Sequence, residues 1–249
     1  MYLFFVEPQQ IGETSAFICG ADVNHIKNVL RMRIGERIRI SNGQDACYNC
    51  TITGISDERV EVSLDEFDPV GTELPAKIYL YQALPKGDKM EFIIQKNVEL
   101  GIAGIVPVAT GRAVVKLDAK KADAKVKRWQ AIAESAAKQS KRTVVPDIYH
   151  VMSFKEAVDH AAKNCGLLLF PYENAEGIKA AKGLIDSIRP GMNVAVFIGP
   201  EGGFESSEVE YALQSGFKTL TLGRRILRTE TAGMMLMSVI MFNLESGEF

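Results

Sequence analysis

The fold class is decided by the stretch Asn193-Val194-Ala195-Val196-Phe197-Ile198-Gly199-Pro200-Glu201-Gly202-Gly203-Phe204. Its first half is an uncharged, β-branched run, which is typical of a strand buried on both faces of a parallel sheet. Its second half is a glycine-rich loop, and a helical pattern follows it. Ligands of open α/β sheets bind at the carboxyl ends of strands, so this loop is a candidate ligand site.

Strand and helix patterns alternate from Lys77 onward, which predicts a parallel sheet covered by helices on both faces. The predicted strands are Lys77–Gln82, Ile105–Ala109, Gly166–Phe170, Asn193–Ile198 and Phe217–Leu222. The predicted helices are Lys86–Leu100, Lys121–Lys141, Ser153–Asn164, Glu205–Gln214 and Thr229–Glu245.

The first 70 residues instead predict a small β-barrel with one helical insertion. The predicted strands are Tyr2–Val6, Arg37–Ser41, Ala46–Ile55 and Arg59–Leu64. Asn42-Gly43 predicts a type I′ hairpin turn, and Asp22 is the predicted cap of a helix through Leu30. Asp65–Pro75 is the predicted linker. We therefore expect an all-β domain over residues 1–72 and an α/β domain over 73–249.

Composition is that of an ordinary globular protein: 249 residues, 29 basic and 31 acidic side chains, and 47% hydrophobic residues. It excludes low-complexity disorder and a disulfide scaffold. The uncharged stretch 231–244 is shorter than the ~20 residues of a membrane span, so we expect no membrane segment. The first residues lack a basic leader and cysteines are few, which favours the cytoplasm. Cys47 and Cys50 are expected to face opposite ways on a strand and to bind no metal.

Charge is unevenly distributed along the chain. Residues 77–148 carry 14 basic and 7 acidic groups, whereas residues 1–76 carry 6 and 12. One basic group stands out within the acidic first segment: Lys27, Arg31, Arg33, Arg37 and Arg39. A second follows one helix face: Lys125, Arg128, Ser135, Gln139 and Arg142. Such groups indicate either a surface for a polyanion or a solvated helix face.

A second glycine loop ends the strand predicted at Phe217–Leu222. It runs Gly223-Arg224-Arg225-Ile226-Leu227-Arg228, and Thr229 is the predicted cap of the last helix, as Ser206 or Ser207 is of the preceding one. Neither loop has the dinucleotide fingerprint or the P-loop pattern. The carboxylate of Glu201 would repel a phosphate, so the loops predict a phosphate-free ligand held by backbone contacts.

Together these loops resemble the RsmE family of SPOUT-superfamily methyltransferases, which act on uracil N3 in 16S ribosomal RNA. The resemblance extends to Gln82-x3-Lys86-Gly87, Lys96-x2-Glu99-Leu100-Gly101, Arg128-Trp129 and Gln139-Ser140-x-Arg142. His25-x3-Val29-Leu30-Arg31 is similar to the family's N-terminal domain. The motifs occur in family order over nearly the whole chain.

The resemblance implies a PUA-like β-barrel and an α/β domain with a C-terminal trefoil knot. It also implies a homodimer, small-subunit ribosomal RNA as substrate, in the assembled 30S subunit, and S-adenosylmethionine as cofactor. The residues implied to hold the cofactor are Leu169, Ile198, Gly199, Glu201, Gly202, Leu222, Gly223, Ile226 and Leu227.

Two catalytic roles and an RNA surface are also implied. Arg228 is expected beside the target base, and Glu99 is a candidate proton acceptor or, alternatively, half of a structural ion pair. The residues expected to contact RNA are Lys27, Arg31, Arg33, Lys86, Lys96, Arg128, Gln139 and Arg142.

Three other functions stay open at this point. One is a SPOUT enzyme with a different acceptor, such as a ribose 2′-hydroxyl of transfer RNA. A second is a non-catalytic RNA-binding or ribosome-assembly factor. A third is a nicotinamide-dependent α/β enzyme, which the missing fingerprint disfavours.

Overall fold

The computed structural model describes residues 1–44, 46–68, 71–115, 117–172 and 177–246, which form two compact units. Unit 1 lies within residues 1–73 and 137–145. Unit 2 lies within residues 74–136 and 146–249. Pro69, in the predicted linker, lies outside the described residues.

Unit 1 is built on a curled sheet. Within its described residues the strands are β1 (Leu3–Phe5), β2 (Ser15–Cys19), β3 (Arg37–Ser41), β4 (Cys47–Ile55) and β5 (Arg59–Phe67). Their order is β1-β3-β4-β5-β2, and all neighbours except β1 and β3 are antiparallel. Two register shifts between β4 and β5 increase the twist of the sheet around its core of Ile38, Ile40, Ile52 and Val60. The predicted all-β domain is confirmed, and β2 is a strand that the sequence pattern did not predict.

The helical insertion has a different start from the one predicted. Helix α1 (Ala21–Asn24) follows Gly20 and continues as one π-helical turn over His25–Val29. Asp22 lies inside the first turn, where its carboxylate accepts a hydrogen bond from Lys138 Nζ at 3.2 Å. The prediction that Asp22 caps the helix is therefore wrong.

The hairpin between β3 and β4 is confirmed, but its turn is not of type I′. That type needs a positive φ at both central residues, and of the Asn42-Gly43 pair only Gly43 has one. The Asn42 side chain instead accepts hydrogen bonds from the amides of Gln44 and Ala46, both at 3.0 Å. This local bonding favours a longer loop over the two-residue turn.

The predicted linker is partly strand, because β5 extends through Phe67. Two contacts, one from β3 and one from the linker, hold the distant segment 137–145 within unit 1. Ser41 Oγ donates to the Thr143 carbonyl at 2.5 Å, and the guanidinium of Arg142 pairs with Glu73. The segment 137–145 therefore belongs to the N-terminal unit in space.

Unit 2 contains the parallel sheet that the alternation predicts. Its described strands are β6 (Lys77–Ala83), β7 (Gly104–Ala109), β8 (Asp147–Ile148), β9 (Met152–Ser153), β10 (Leu167–Pro171), β11 (Asn193–Ile198) and β12 (Lys218–Leu220). The order is β12-β10-β11-β6-β7-β8, with β9 also paired to β7, and every pair is parallel. Strand β12 is shorter than predicted, and the short strands β8 and β9 were not predicted.

Helices cover both faces of this sheet. The described helices that follow α1 are α2 (Lys89–Glu99), α3 (Ala119–Ser140), α4 (Phe154–Asn164), α5 (Ile178–Ile185), α6 (Ser206–Gln214) and α7 (Thr229–Ser246). Tyr81, Phe170 and Phe197 pack with α4 and α6 on one face. Helices α2 and α7 pack together on the opposite face, where Gly233 of α7 lies against Leu80 and Ile198. Helix α5 was not predicted.

Cys47 and Cys50 are both buried, but on opposite sides of β4, as predicted. Cys50 packs in the core of unit 1 with Ile38, whereas Cys47 accepts a hydrogen bond at 3.3 Å from Arg39, the next residue of β3. Burial raises the pKa of Cys50 to about 12 and also raises the pKa of Cys47, so both remain thiols at neutral pH. Within the described ranges, no helix has the length and apolar character needed to cross a bilayer.

Candidate active site

The first glycine loop, Gly199–Phe204, starts at the carboxyl end of β11. Its backbone turns sharply, because the Gly203 amide donates to the Pro200 carbonyl at 3.0 Å and Gly203 has a φ of +67°. A Cβ on Gly199 would lie 2.9 Å from the Phe204 ring, which is itself packed against Phe170. Only glycine fits at position 199 without moving the loop.

The second glycine loop, Leu222–Arg228, joins β12 to α7. Gly223 has a φ of +113°, and its amide and carbonyl both bond the Thr221 hydroxyl at 3.2 Å. Ile226 is 90% exposed, and the side chain of Arg228 is exposed as well. An apolar side chain this exposed, beside a cationic one, is available surface for a ligand.

A hydrogen bond joins the two loops. The Thr229 hydroxyl, at the start of α7, donates to the Gly199 carbonyl at 2.6 Å. The same hydroxyl accepts from Gln82 Nε2 at 2.9 Å. The prediction that Thr229 caps α7 is therefore wrong, because its hydroxyl donates to the first loop and not to the helix.

A lysine bridges carboxylates from the same two regions. Lys89 Nζ lies 2.8 Å from Glu201 of the first loop and 3.5 Å from Glu230 of α7. Burial tends to raise the pKa of Glu201, but the hydrogen bonds from Lys89 and from the backbone of Glu201 and Lys86, together with the Lys89 charge, outweigh it and lower that pKa. The bond to Glu201 likewise raises the pKa of Lys89. The pair is therefore ionised at neutral pH, and the carboxylate favours a cationic ligand group.

The loop after β7 supports the first glycine loop, through contacts that the sequence pattern did not predict. Arg112 Nη1 donates to the Gly202 carbonyl at 3.2 Å, and the Gly111 amide donates to Glu208 at 2.9 Å. Glu208 and Glu205 also form the capping box of α6, so the prediction of a Ser206 or Ser207 cap is wrong. No local sequence pattern predicts these contacts, since the partners are about 90 residues apart.

The other predicted cofactor residues lie in the second loop or in the two strands β10 and β11. Leu169 and Ile198 are buried in adjacent strands β10 and β11, and Ile198 directly precedes Gly199. Leu222 and Leu227 are half-buried in the second loop. The structure thus brings the two predicted loops together at one edge of the sheet.

Glu99 is not brought to this edge. Helix α2 starts at Lys89, which reaches Glu201, and Glu99 lies ten residues further along the helix. At the α-helical rise Glu99 lies about 15 Å along the helix axis from Lys89, the residue that contacts the first loop. Both carboxylate oxygens of Glu99 accept from Lys96 Nζ, at 2.8 and 2.9 Å. Within one protomer, Glu99 is placed as half of an ion pair.

The residues predicted to contact RNA differ in accessibility. Arg31, Arg33, Lys86 and Gln139 are exposed, and Arg31 has a positive φ of 55°. Three others are ion-paired: Lys27 with Asp57, Arg128 with Glu91 at 2.8 Å, and Lys96 with Glu99. Arg142 is only 3% exposed and pairs with Glu73, so the prediction that it contacts RNA does not fit this structure.

Comparison with known proteins places the chain in a family. Residues 72–241 match the RNA methyltransferase domain model, and residues 18–65 match the RNA methyltransferase PUA domain model. The chain is 38% identical to ribosomal RNA small subunit methyltransferase E of Bacillus subtilis, over 98% of each protein. It is 33% identical to the Mesomycoplasma hyopneumoniae protein of the same name, over 96% of this chain and 98% of that one.

A solved structure agrees with this assignment. The Neisseria gonorrhoeae ribosomal RNA small subunit methyltransferase E, bound to S-adenosyl methionine, matches with a TM-score of 0.80, 32% identity and 96% coverage of each chain. The two loops therefore lie in a fold shared with a structure that contains that cofactor. The chain belongs to the ribosomal RNA small subunit methyltransferase E family of RNA methyltransferases.

Proposed function

We propose that this protein transfers a methyl group from S-adenosylmethionine to N3 of a uracil in 16S ribosomal RNA. The observation that carries the proposal is the Thr229–Gly199 hydrogen bond, which brings the two glycine loops together at the carboxyl edge of the sheet. The reaction is inferred from membership in the family, and we place the methyl donor in a crevice between the joined loops.

The residues of the crevice fit this donor. Gln82 Oε1 is buried and has no hydrogen-bond donor among the described residues, so it can accept from a ligand amine or hydroxyl. Ile226, Leu222 and Leu227 offer apolar surface, and the Glu201 carboxylate suits a sulfonium. S-adenosylmethionine, when bound, supplies a methyl group already activated for displacement. Gly199, Gly202 and Gly223 would contact it through their backbones.

Arg228 is the residue that we assign to the target base. Methylation at N3 requires the uracil to lose the proton held there at neutral pH; we assign that proton to solvent water, and a guanidinium stabilises the resulting anion. The exposed side chain of Arg228 follows directly on the second loop, next to Thr229. Glu99 is not assigned as proton acceptor, because it lies about 15 Å along α2 from Lys89, the residue that contacts the first loop.

We assign RNA binding chiefly to residues 1–72 and methyl transfer to residues 73–249. Exposed cations of unit 1, Arg31 and Arg33, would contact phosphates beside the exposed apolar side chains of Val29 and Ile34. Lys27, Lys86, Lys96, Arg128 and Gln139 complete the proposed set of RNA contacts. The ion-paired members would exchange a carboxylate partner for a phosphate, which costs little at exposed sites.

Four further features belong to the proposal. The substrate is the assembled 30S subunit, and the protein acts in the cytoplasm. A homodimer would cover the apolar outer face of α7, where Val239 and Phe242 are exposed, together with Phe92 of α2. The C-terminal knot is supported by the position of β11 between β10 and β6, two strands that precede it in the chain.

A nucleoside assay tests the proposed function. The protein is incubated with methyl-labelled S-adenosylmethionine and small ribosomal subunits that lack the modification, and the digested RNA is analysed by mass spectrometry. We expect label in 3-methyluridine alone. Label in a 2′-O-methylated nucleoside would move the acceptor to a ribose, and RNA binding without label would indicate an assembly factor.

A further inference from the structure

We propose that Gln82 and Thr229 are positioning residues of the methyl-transfer reaction, which act as a directional hydrogen-bond relay. The relay runs from the end of β6 through the start of α7 to Gly199. It sets the spacing of the two glycine loops, and through that spacing the affinity for the methyl donor. This inference rests on the proposed function and goes beyond it, since that function gives Thr229 no role and gives Gln82 only a contact of its Oε1 with the donor.

The direction of each hydrogen bond follows from chemistry. One side-chain amide atom of Gln82 lies 3.0 Å from the Ala83 carbonyl, which can only accept, so that atom must be the NH2 nitrogen. Its second hydrogen points to Thr229 Oγ1, at 2.9 Å. The Thr229 hydroxyl then has its own hydrogen left for the Gly199 carbonyl, at 2.6 Å. No step of the relay can run in reverse.

The sheet register explains why these residues meet. Gln82 pairs with Ile198 across β6 and β11, so it lies beside the last strand residue before Gly199. Alternation along β6 places Gln82 on the same face as Leu80, the face that α7 covers. Gln82 is 0% exposed and Thr229 is 5% exposed, so water does not compete for these bonds.

Two links join the loop regions among the described residues, and the relay is the buried one. The other is the Glu201–Lys89–Glu230 bridge, whose lysine and Glu201 are partly exposed. An exposed ion pair contributes little to fixing the positions of its residues. Breaking a buried hydrogen bond costs more, because it leaves an unsatisfied polar group. We therefore expect the relay, more than the ion bridge, to fix the Gly199 carbonyl.

Three substitutions in the full-length protein test the relay. Gln82→Glu keeps a buried acceptor oxygen but replaces the donor, so the Thr229 hydroxyl would turn toward the carboxylate and leave Gly199. Thr229→Val removes the hydroxyl at nearly constant volume. Thr229→Ser restores it. Asn97→Ala is the matched control, because Asn97 is an equally buried amide in the same core whose Nδ2 bonds only the Ile93 carbonyl of its own helix.

The measurements are the Kd of S-adenosylmethionine by calorimetry, the melting temperature, and kcat and KM on small subunits. We expect Gln82→Glu and Thr229→Val each to weaken donor binding by about tenfold, the scale of one missing buried hydrogen bond, and the double variant to bind no more weakly than either single one. Thr229→Ser should stay within about twofold of wild type, the change that a few tenths of a kcal/mol produces. Asn97→Ala should lower the melting temperature while the Kd stays at the wild-type value.

Wild-type Kd in both disrupted variants would overturn the relay, and so would a weakening of Kd in Asn97→Ala as large as theirs. Wild-type protein is the separate check on the proposed function. If wild type binds the donor and methylates RNA while the variants match it, only the relay fails. If wild type neither binds the donor nor methylates RNA, the proposed function fails and the relay has no reaction to serve.

Discussion

Arg228 combines a fixed backbone with an accessible side chain. Its carbonyl accepts from the amides of Thr231 and Ala232, both at 2.9 Å, which anchors it to the first turn of α7. Its side chain is exposed, and no carboxylate in the described part of the chain pairs with it. The guanidinium is therefore held at the edge of the second glycine loop and can reach a bound base.

We predict that Arg228→Ala lowers kcat by at least about 100-fold, the scale of one missing transition-state interaction, with the melting temperature and donor Kd unchanged. Arg225→Ala is the control, since Arg225 is an exposed arginine of the same loop. Single-turnover methylation of small subunits measures both. Turnover of Arg228→Ala at the wild-type rate would remove this residue from the mechanism.

His160 gives the fold a pH dependence of its own. The Tyr81 hydroxyl and His160 Nδ1 share a hydrogen bond at 2.7 Å, and burial raises the pKa of Tyr81, so the tyrosine stays protonated. Burial also lowers the pKa of His160 from its ordinary value of 6.5, with His150 and Lys163 adding to the effect.

Because the unfolded chain binds this proton first, we predict that the free energy of unfolding falls as the pH drops below about 6.5. The decrease should stop once the pH is below the lowered pKa of the folded state. His160→Gln should flatten this part of the curve. Urea denaturation between pH 5 and 8 measures it, and an identical pH profile for variant and wild type would contradict the assignment.

Among the elements, the sequence predicts those whose signals are local. Asn193–Ile198 is a strand as predicted, and Thr229 does begin α7. Both predictions depend on the spacing of apolar residues and the position of a glycine, which can be read from neighbouring residues. The use of the Thr229 hydroxyl could not be predicted, since its partners Gln82 and Gly199 are 147 and 30 residues away. The same applies to Arg142, whose helical spacing suggests an outer face but whose partner Glu73 buries it.

The first glycine loop depends on the absence of a side chain at one position. We predict that Gly199→Ala weakens donor binding by at least about tenfold, because the new Cβ would lie 2.9 Å from the Phe204 ring and displace the loop. Gly183→Ala is the control. It lies in α5 with nothing within 4 Å of the added carbon, so it should raise stability by about 0.5–1 kcal/mol.

Calorimetric titration with S-adenosylmethionine and thermal melts of both glycine variants check this prediction. The loop assignment would be contradicted by wild-type affinity in Gly199→Ala. An equal decrease of affinity in both variants would contradict it too, since Gly183 lies in α5, outside both loops.

At the scale of the whole molecule, the basic segment of the sequence does not coincide with one structural unit. The basic segment 77–148 is continuous in sequence, yet residues 137–145 pack within unit 1. The hydrogen bond from Ser41 to Thr143 spans 102 residues. A local sequence pattern therefore could not predict that residues 137–145 belong to unit 1. Deleting residues 1–72 would strip these partners from 137–145, and substitution in the full chain is the cleaner test of RNA binding.

We predict that the triple variant Lys27→Ala, Arg31→Ala, Arg33→Ala binds small-subunit RNA at least about tenfold more weakly. The slope of log Kd against log salt should fall by about 0.7–0.9 for each phosphate that the variant no longer neutralises. The donor Kd should not change. The charge-matched control replaces the exposed lysines Lys155, Lys163 and Lys218 of unit 2. Equal weakening in the two triple variants would show nonspecific attraction only.

The central claim is that the two glycine loops enclose the methyl donor. A crystal structure of the wild-type protein grown with S-adenosylmethionine tests it most directly. We predict the donor between Gly199–Phe204 and Leu222–Arg228, with the Thr229–Gly199 hydrogen bond intact. A donor bound elsewhere in the molecule, or a crevice closed by its own side chains at saturating donor, would contradict the account.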